Sequence, residues 1–261
     1  MRELAQRVAD ALPPVVEEVV LTGSVSRGVE DELSDIEMLV VTTEQLELAA
    51  CFEHARAAGL VELDTWGAQD TPARKVFGYR EGVPVELVWW SREHAEASVD
   101  AFVAAEALAN GVALRTVGLL AKWQEQLAEY PDELASQRIE EAALTWGGFA
   151  PAGILTLTRP GERLALVERI VDDAARVMKI VYAVNRVWQP TNKRLASRAA
   201  GLGVKPDRLA ERIEDALSEL DSRLALLTMT ELQLDTVALA PTGPNVDRSR
   251  RWLAAVASLL R

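Results

Sequence analysis

Asp35 and Glu37 flank Ile36 at the start of an apolar run that continues to Val41. If that run is a strand, its period-2 alternation places both carboxylates on one face and turns Ile36 into the core. Two carboxylates held together repel unless a cation neutralises them, and Mg²⁺ is commonly held by one or two carboxylates together with substrate phosphates. A third acid, Glu86, interrupts the apolar run Val85-Glu86-Leu87-Val88. An acid inside an apolar strand is costly unless paired or metal-bound, so Glu86 is expected to complete the cluster from a neighbouring strand. Upstream, Gly23-Ser24 follows the strand-like run Glu17–Leu21. Glycine lets the backbone approach a phosphate closely, and the N–H groups of a helix start are free to receive one. Each feature alone is ordinary; together they describe a site for a metal and a phosphorylated ligand.

The elements that must position these residues can be read from patterning. Residues 2–12 form an amphipathic helix with Leu4, Val8 and Leu12 on one face, stopped by Pro13-Pro14. Strands are expected at 17–21 and 36–41, the second buried on both faces because 38–41 do not alternate. A helix over 44–58 closes at Gly59. Three further strand-like runs follow, Val61–Trp66, Arg74–Tyr79 and Val83–Trp90, the last two joined by a hairpin at Glu81-Gly82. A helix spans Arg92–Ala109. Beyond residue 110 the pattern is helical throughout: 115–129, 132–146, a loop at Gly147–Gly161, 162–188, 205–228 and 246–260. The long helix over 162–188 has Leu164, Val167, Val171, Ala174, Met178, Val181 and Trp188 at helical spacing.

Charge divides the chain at the same place. Of its 261 residues, the first 110 carry 21 Asp+Glu against 8 Lys+Arg, and the remainder 19 against 20. The acidic half argues against nucleic acid, which requires clustered cations to replace its counterions. One cysteine, Cys51, excludes an internal disulfide framework. Two histidines, His54 and His94, make a structural zinc site improbable and are expected at the surface. No uncharged apolar run reaches the ~18 residues of a membrane span, and the first residues lack the pattern of a signal peptide. A cytoplasmic protein is the expectation, with an α/β region over 1–110 and an all-helical region over 111–261.

Gly23-Ser24, Asp35-Ile36-Glu37 and Glu86 resemble the signature of the polymerase-β-type nucleotidyltransferase superfamily. The string Gly23-Ser24-Val-Ser-Arg27-Gly28 followed by Ser34-Asp35-Ile36-Glu37-Met38 looks most like small-molecule nucleotidyltransferases of the aminoglycoside (kanamycin) type. The resemblance implies a small mixed-sheet catalytic domain over 1–110, and a helical domain over 111–261 that clamps substrate or nucleotide. It implies that Asp35, Glu37 and Glu86 are catalytic and bind Mg²⁺, and that Gly23, Ser24, Arg27, Ser34 and Lys193 bind the nucleotide. ATP would give its AMP to a hydroxyl of a small molecule, such as an aminoglycoside or lincosamide antibiotic. The acid excess of the first half would suit a cationic acceptor.

Other readings share the motif. A protein- or tRNA-modifying enzyme of the toxin–antitoxin type has the same triad, and the acidic half weighs against tRNA. An inert nucleotide-binding module has less need of three acids. Glu86, Glu140, Glu141, Asp172 and Asp173 are the candidates for general base, the last four equally readable as solvated helix residues. Asn185 lies beside the apolar face of the long helix and needs partners there. The helical half is compatible with a single core or a homodimer face.

Overall fold

The computed structural model describes residues 1–66, 72–99, 102–147 and 150–261. The chain divides into two compact units, Met1–Glu129 and Tyr130–Arg261. The first contains α1 (Arg2–Ala11), β1 (Val16–Thr22), α2 (Gly23–Arg27), β2 (Ile36–Thr42), α3 (Leu48–Ala57), β3 (Val61–Asp64), β4 (Arg74–Arg80) and β5 (Val83–Ser91). It continues through α4 (Arg92–Ala97), α5 (Phe102–Ala109), β6 (Val112–Arg115) and α6 (Leu119–Leu127).

The six strands form one mixed sheet in the order β3-β4-β5-β2-β1-β6. β2 and β5 are parallel; the other pairings are antiparallel. One sheet face is dry. Val76, Leu87, Trp89, Ile36, Met38 and Leu21 point into it and pack with Leu4, Val8 and Leu12 near α1 and with Cys51 and Ala55 of α3. On β5 the alternation is regular, with Val85, Leu87 and Trp89 buried and Glu86, Val88 and Trp90 half-buried on the opposite face. Glu81 and Gly82 both take left-handed φ, 55° and 77°, as the tightest hairpin turn requires.

Several boundaries differ from the sequence expectation. The chain beyond 110 is not wholly helical, because β6 pairs with β1. Four residues are too few to show a period, and the strand is fixed from outside. Arg115 donates to the carbonyls of Ala9 (2.7 Å), Leu12 (2.9 Å) and Pro13 (2.9 Å), satisfying the open end of α1. The run 92–109 is two helices, with residues 100–101 outside the described residues. The helix expected over 44–58 begins at Leu48, and the strand over 61–66 ends at Asp64.

The second unit contains α7 (Asp132–Leu144), a 3₁₀ segment Pro151–Thr158, α8 (Arg163–Val184), α9 (Leu195–Ala200), α10 (Leu209–Ser218), α11 (Ser222–Leu239) and α12 (Pro244–Leu260). The 3₁₀ segment lies in the stretch expected as loop, of which 148–149 are outside the described residues. The helix expected over 205–228 is interrupted: Asp221 caps a new one, its carboxylate accepting from the N–H groups of Arg223 and Leu224. On α8 the buried face carries Leu166, Ile170, Asp173, Val177 and Met178, whereas Leu164 and Val171 are 73% and 53% exposed. Apolar residues surround this helix, so spacing alone did not select its inward face.

Candidate active site

Register brings the acids together. In the β2–β5 ladder Glu37 is paired with Glu86, and Asp35 immediately precedes β2. One carboxylate oxygen from each of Asp35, Glu37 and Glu86 lies within 4.8 Å of the others, and all three side chains are half-buried. Three converging carboxylates are a hard, oxygen-only donor set, which suits Mg²⁺ or Mn²⁺ and not a soft metal.

Gly23 closes one side of the cluster. Its φ is +70°, a conformation costly for any residue with a Cβ, and a Cβ there would run into the Glu37 carboxylate. Two independent demands therefore select glycine. Ser24 follows in α2, a single turn held by Ser26 Oγ donating to the Gly23 carbonyl at 3.1 Å. Thr22 Oγ donates to the Glu37 carbonyl at 3.2 Å, locking the Gly-Ser turn to β2.

Other residues named from the sequence have different surroundings. Arg27 is ion-paired to Glu106 of α5 at 2.8 Å, both largely buried. Ser34 is engaged in a turn, its hydroxyl donating to Asp31 Oδ1 at 2.9 Å and accepting from the Asp31 N–H. Lys193 belongs to the second unit, exposed in the turn before α9.

The helical candidates for general base have structural tasks. Glu140 accepts from the N–H groups of Asn245 (2.9 Å) and Val246 (3.3 Å), capping α12. Glu141 pairs with Lys179 at 3.1 Å, and bonds to Gln137 and Lys179 hold its carboxyl below the usual range. Asp172 pairs with Arg176 at 2.9 Å. Asp173 is not solvated: it is buried, accepts from Trp146 Nε1 (3.1 Å) and Arg169 Nε (2.7 Å), and burial pushes its carboxyl up. Asn185 caps α8 and binds the Val204 backbone through both its amide groups.

The two histidines expected at the surface are half-buried. His94 packs edge-on against Trp90, centroids 4.9 Å apart, and burial lowers its pKa. His54 lies 5.9 Å from the ring of the buried Trp89. The His54–Trp89 contact joins positions distant along the chain, whereas Trp90 and His94 are four residues apart and meet because β5 turns directly into α4.

Residues 1–86 match the family model of the nucleotidyltransferase domain. That stretch, a third of the chain, is similar to nucleotidyltransferase domains. Residues 99–195 match a second family model, described as a domain of unknown function (DUF4037). No curated protein matches the chain. Among solved structures, it is similar to a nucleotidyltransferase-like protein from Exiguobacterium sibiricum 255-15, at 14% identity and TM-score 0.34, over 100% of this chain and 74% of that one. The match over residues 1–86 supports a nucleotidyltransferase, an enzyme class that uses a nucleoside triphosphate as substrate. Among the described residues no helix is long and apolar enough to cross a membrane.

Proposed function

We propose that the enzyme transfers AMP from Mg²⁺-bound ATP to a hydroxyl of a small molecule. The supporting observation is the convergence of Asp35, Glu37 and Glu86 within 4.8 Å beside a Gly-Ser turn whose first residue has a φ that favours glycine. The three carboxylates would hold the divalent ion, which supplies charge neutralisation for the phosphates when bound. Gly23 and Ser24 would receive the triphosphate through backbone N–H and hydroxyl. In this reading Glu86, beside the reacting centre, would take the acceptor's proton. The acceptor oxygen bonds to the α-phosphorus, the bond to the bridging oxygen breaks, and pyrophosphate leaves. Catalysis in this scheme is mainly positioning and electrostatic stabilisation. Arg27, held by Glu106 through one nitrogen, would meet a phosphate through its remaining N–H groups, and Ser34 would act by holding the turn before Asp35. The lone buried Cys51 suits a reducing, cytoplasmic setting.

The experiment is incubation with α-labelled ATP and Mg²⁺ against aminoglycosides, lincosamides, protein and tRNA. Label on a small alcohol, with pyrophosphate released and both lost in Asp35→Asn/Glu37→Gln, is the expected result. Label on protein or tRNA alone would replace the small-molecule assignment. Transfer that survives the double substitution would overturn the metal site.

A further inference from the structure

The row of residues containing the acids continues across the sheet. Cross-strand pairing aligns Thr22 on β1, Glu37 on β2, Glu86 on β5 and Phe77 on β4. Directly paired residues share a face, with Cβ atoms about 5 Å apart. Phe77 is thus the immediate neighbour of Glu86 on the side away from Gly23. It is half-buried and meets Tyr79 edge-on at 5.3 Å. One step along β4 on the same face, Lys75 pairs with Val88 of β5, and its ammonium rests 3.8 Å from the ring centre of Trp66, which is 57% exposed.

We infer that Phe77, Trp66 and Lys75 form the acceptor platform, and that the acceptor is an alcohol with a planar apolar body and an anionic group. The inference rests on the proposed nucleotidyl transfer. In-line displacement requires the attacking and leaving oxygens on opposite sides of the phosphorus. The triphosphate lies toward Gly23 and Ser24 at the β1 side of the acids, so the attacking hydroxyl must come from the β4 side, where Phe77 stands. An aromatic ring at that point receives a flat apolar surface. Lys75 lies two residues beyond Phe77, about 7 Å along an antiparallel strand, which sets the separation between hydroxyl and anion. A cation in this position disfavours a polycationic acceptor and narrows the expectation drawn from the acidic composition.

The test uses two benzyl alcohols of similar length and opposite terminal charge, 4-(hydroxymethyl)benzoate and 4-(aminomethyl)benzyl alcohol. Their binding to the full chain is read by ligand-observed saturation-transfer NMR with Mg²⁺ and a non-hydrolysable ATP analogue, and Mg–ATP binding is read separately by calorimetry. The benzoate is expected to bind at least ten-fold more tightly than the amine. Lys75→Glu should invert that order, and Phe77→Ala should weaken both. Binding of neither alcohol, preference for the amine, or an order unchanged in Lys75→Glu overturns the platform. A ten-fold loss of Mg–ATP affinity in Phe77→Ala would assign the ring to the nucleobase and also overturn it. Failure of the wild type to bind Mg–ATP would instead sink the underlying transfer reading.

Discussion

Glu37 and Glu86 are direct partners across the parallel β2–β5 ladder. Like charges placed directly opposite one another disfavour the sheet they sit on, and a cation bound between them would offset that repulsion. Mg²⁺ with ATP is therefore expected to raise the melting temperature of the wild type, and not that of Asp35→Asn/Glu37→Gln. Differential scanning calorimetry with and without Mg²⁺ decides it: an equal shift in both proteins means the ion binds elsewhere.

Gly23→Ala tests the second feature of the site. The left-handed φ costs about 1–2 kcal/mol for a residue with a Cβ, and the new methyl displaces the Glu37 carboxylate. Mg–ATP affinity should fall at least ten-fold, with a modest loss of stability. Affinity within two-fold of wild type would show that the turn does not contact the nucleotide.

Glu18 is fully buried on β1, where its carboxylate accepts from Thr116 Oγ (3.0 Å) and the N–H groups of Val117 (2.9 Å), Leu119 (3.3 Å) and Leu120 (3.2 Å). It is the cap that α6 lacks in its own sequence. Glu18→Ala leaves several buried donors unpaired, each worth about 1–3 kcal/mol. The first unit should lose about 2–4 kcal/mol in urea unfolding; a loss below ~1 kcal/mol would mean that the turn after β6 re-forms without it.

Cys51 is buried, and burial raises its thiol from 9.0 to about 11. The folded state then holds the proton more tightly than the unfolded chain. This contribution is complete below pH 9.0 and is lost as pH rises through about 11. Cys51→Ala should remove that part of the alkaline loss of stability, on the order of 2 kcal/mol. In the native protein at pH 8, disulfide reagents should label the thiol only as fast as the unit opens; immediate labelling would contradict the burial.

Glu140→Gln should destabilise α12 by about 1 kcal/mol through weakened capping, read as a lower urea midpoint for the second unit. An unchanged midpoint would return Glu140 to the candidates for proton transfer.

What was legible in the sequence follows from the range of the interactions involved. Asp35-Ile36-Glu37 and the alternation around Glu86 are local patterns, and their convergence needed only the assumption that two strands neighbour each other. The hairpin at Glu81-Gly82 is likewise local. Phe77 carries no mark in the sequence, because its proximity to Glu86 is a matter of cross-strand register. β6 depends on Arg115 reaching the end of α1, across most of the first unit. Arg27 and Glu140 each looked free to meet a ligand, since the partners that hold them, Glu106 and the start of α12, lie far along the chain. Asp173 looked solvated because charge normally marks an outward face; its guanidinium and indole partners allow the opposite.

The parallel pairing of β2 with β5 has a consequence for how the protein is made. Antiparallel neighbours can zip up from a turn, but these two strands are separated along the chain by α3, β3 and β4. Long-range closures of this kind form slowly. Glu37 and Glu86 converge only once this pairing is made, and a chain that has not made it lacks the three-carboxylate site. A cation at a hundred times its dissociation constant would add about 2.7 kcal/mol to the completed fold and nothing to its precursors. Ion uptake in a refolding experiment would then serve as a clock for this pairing.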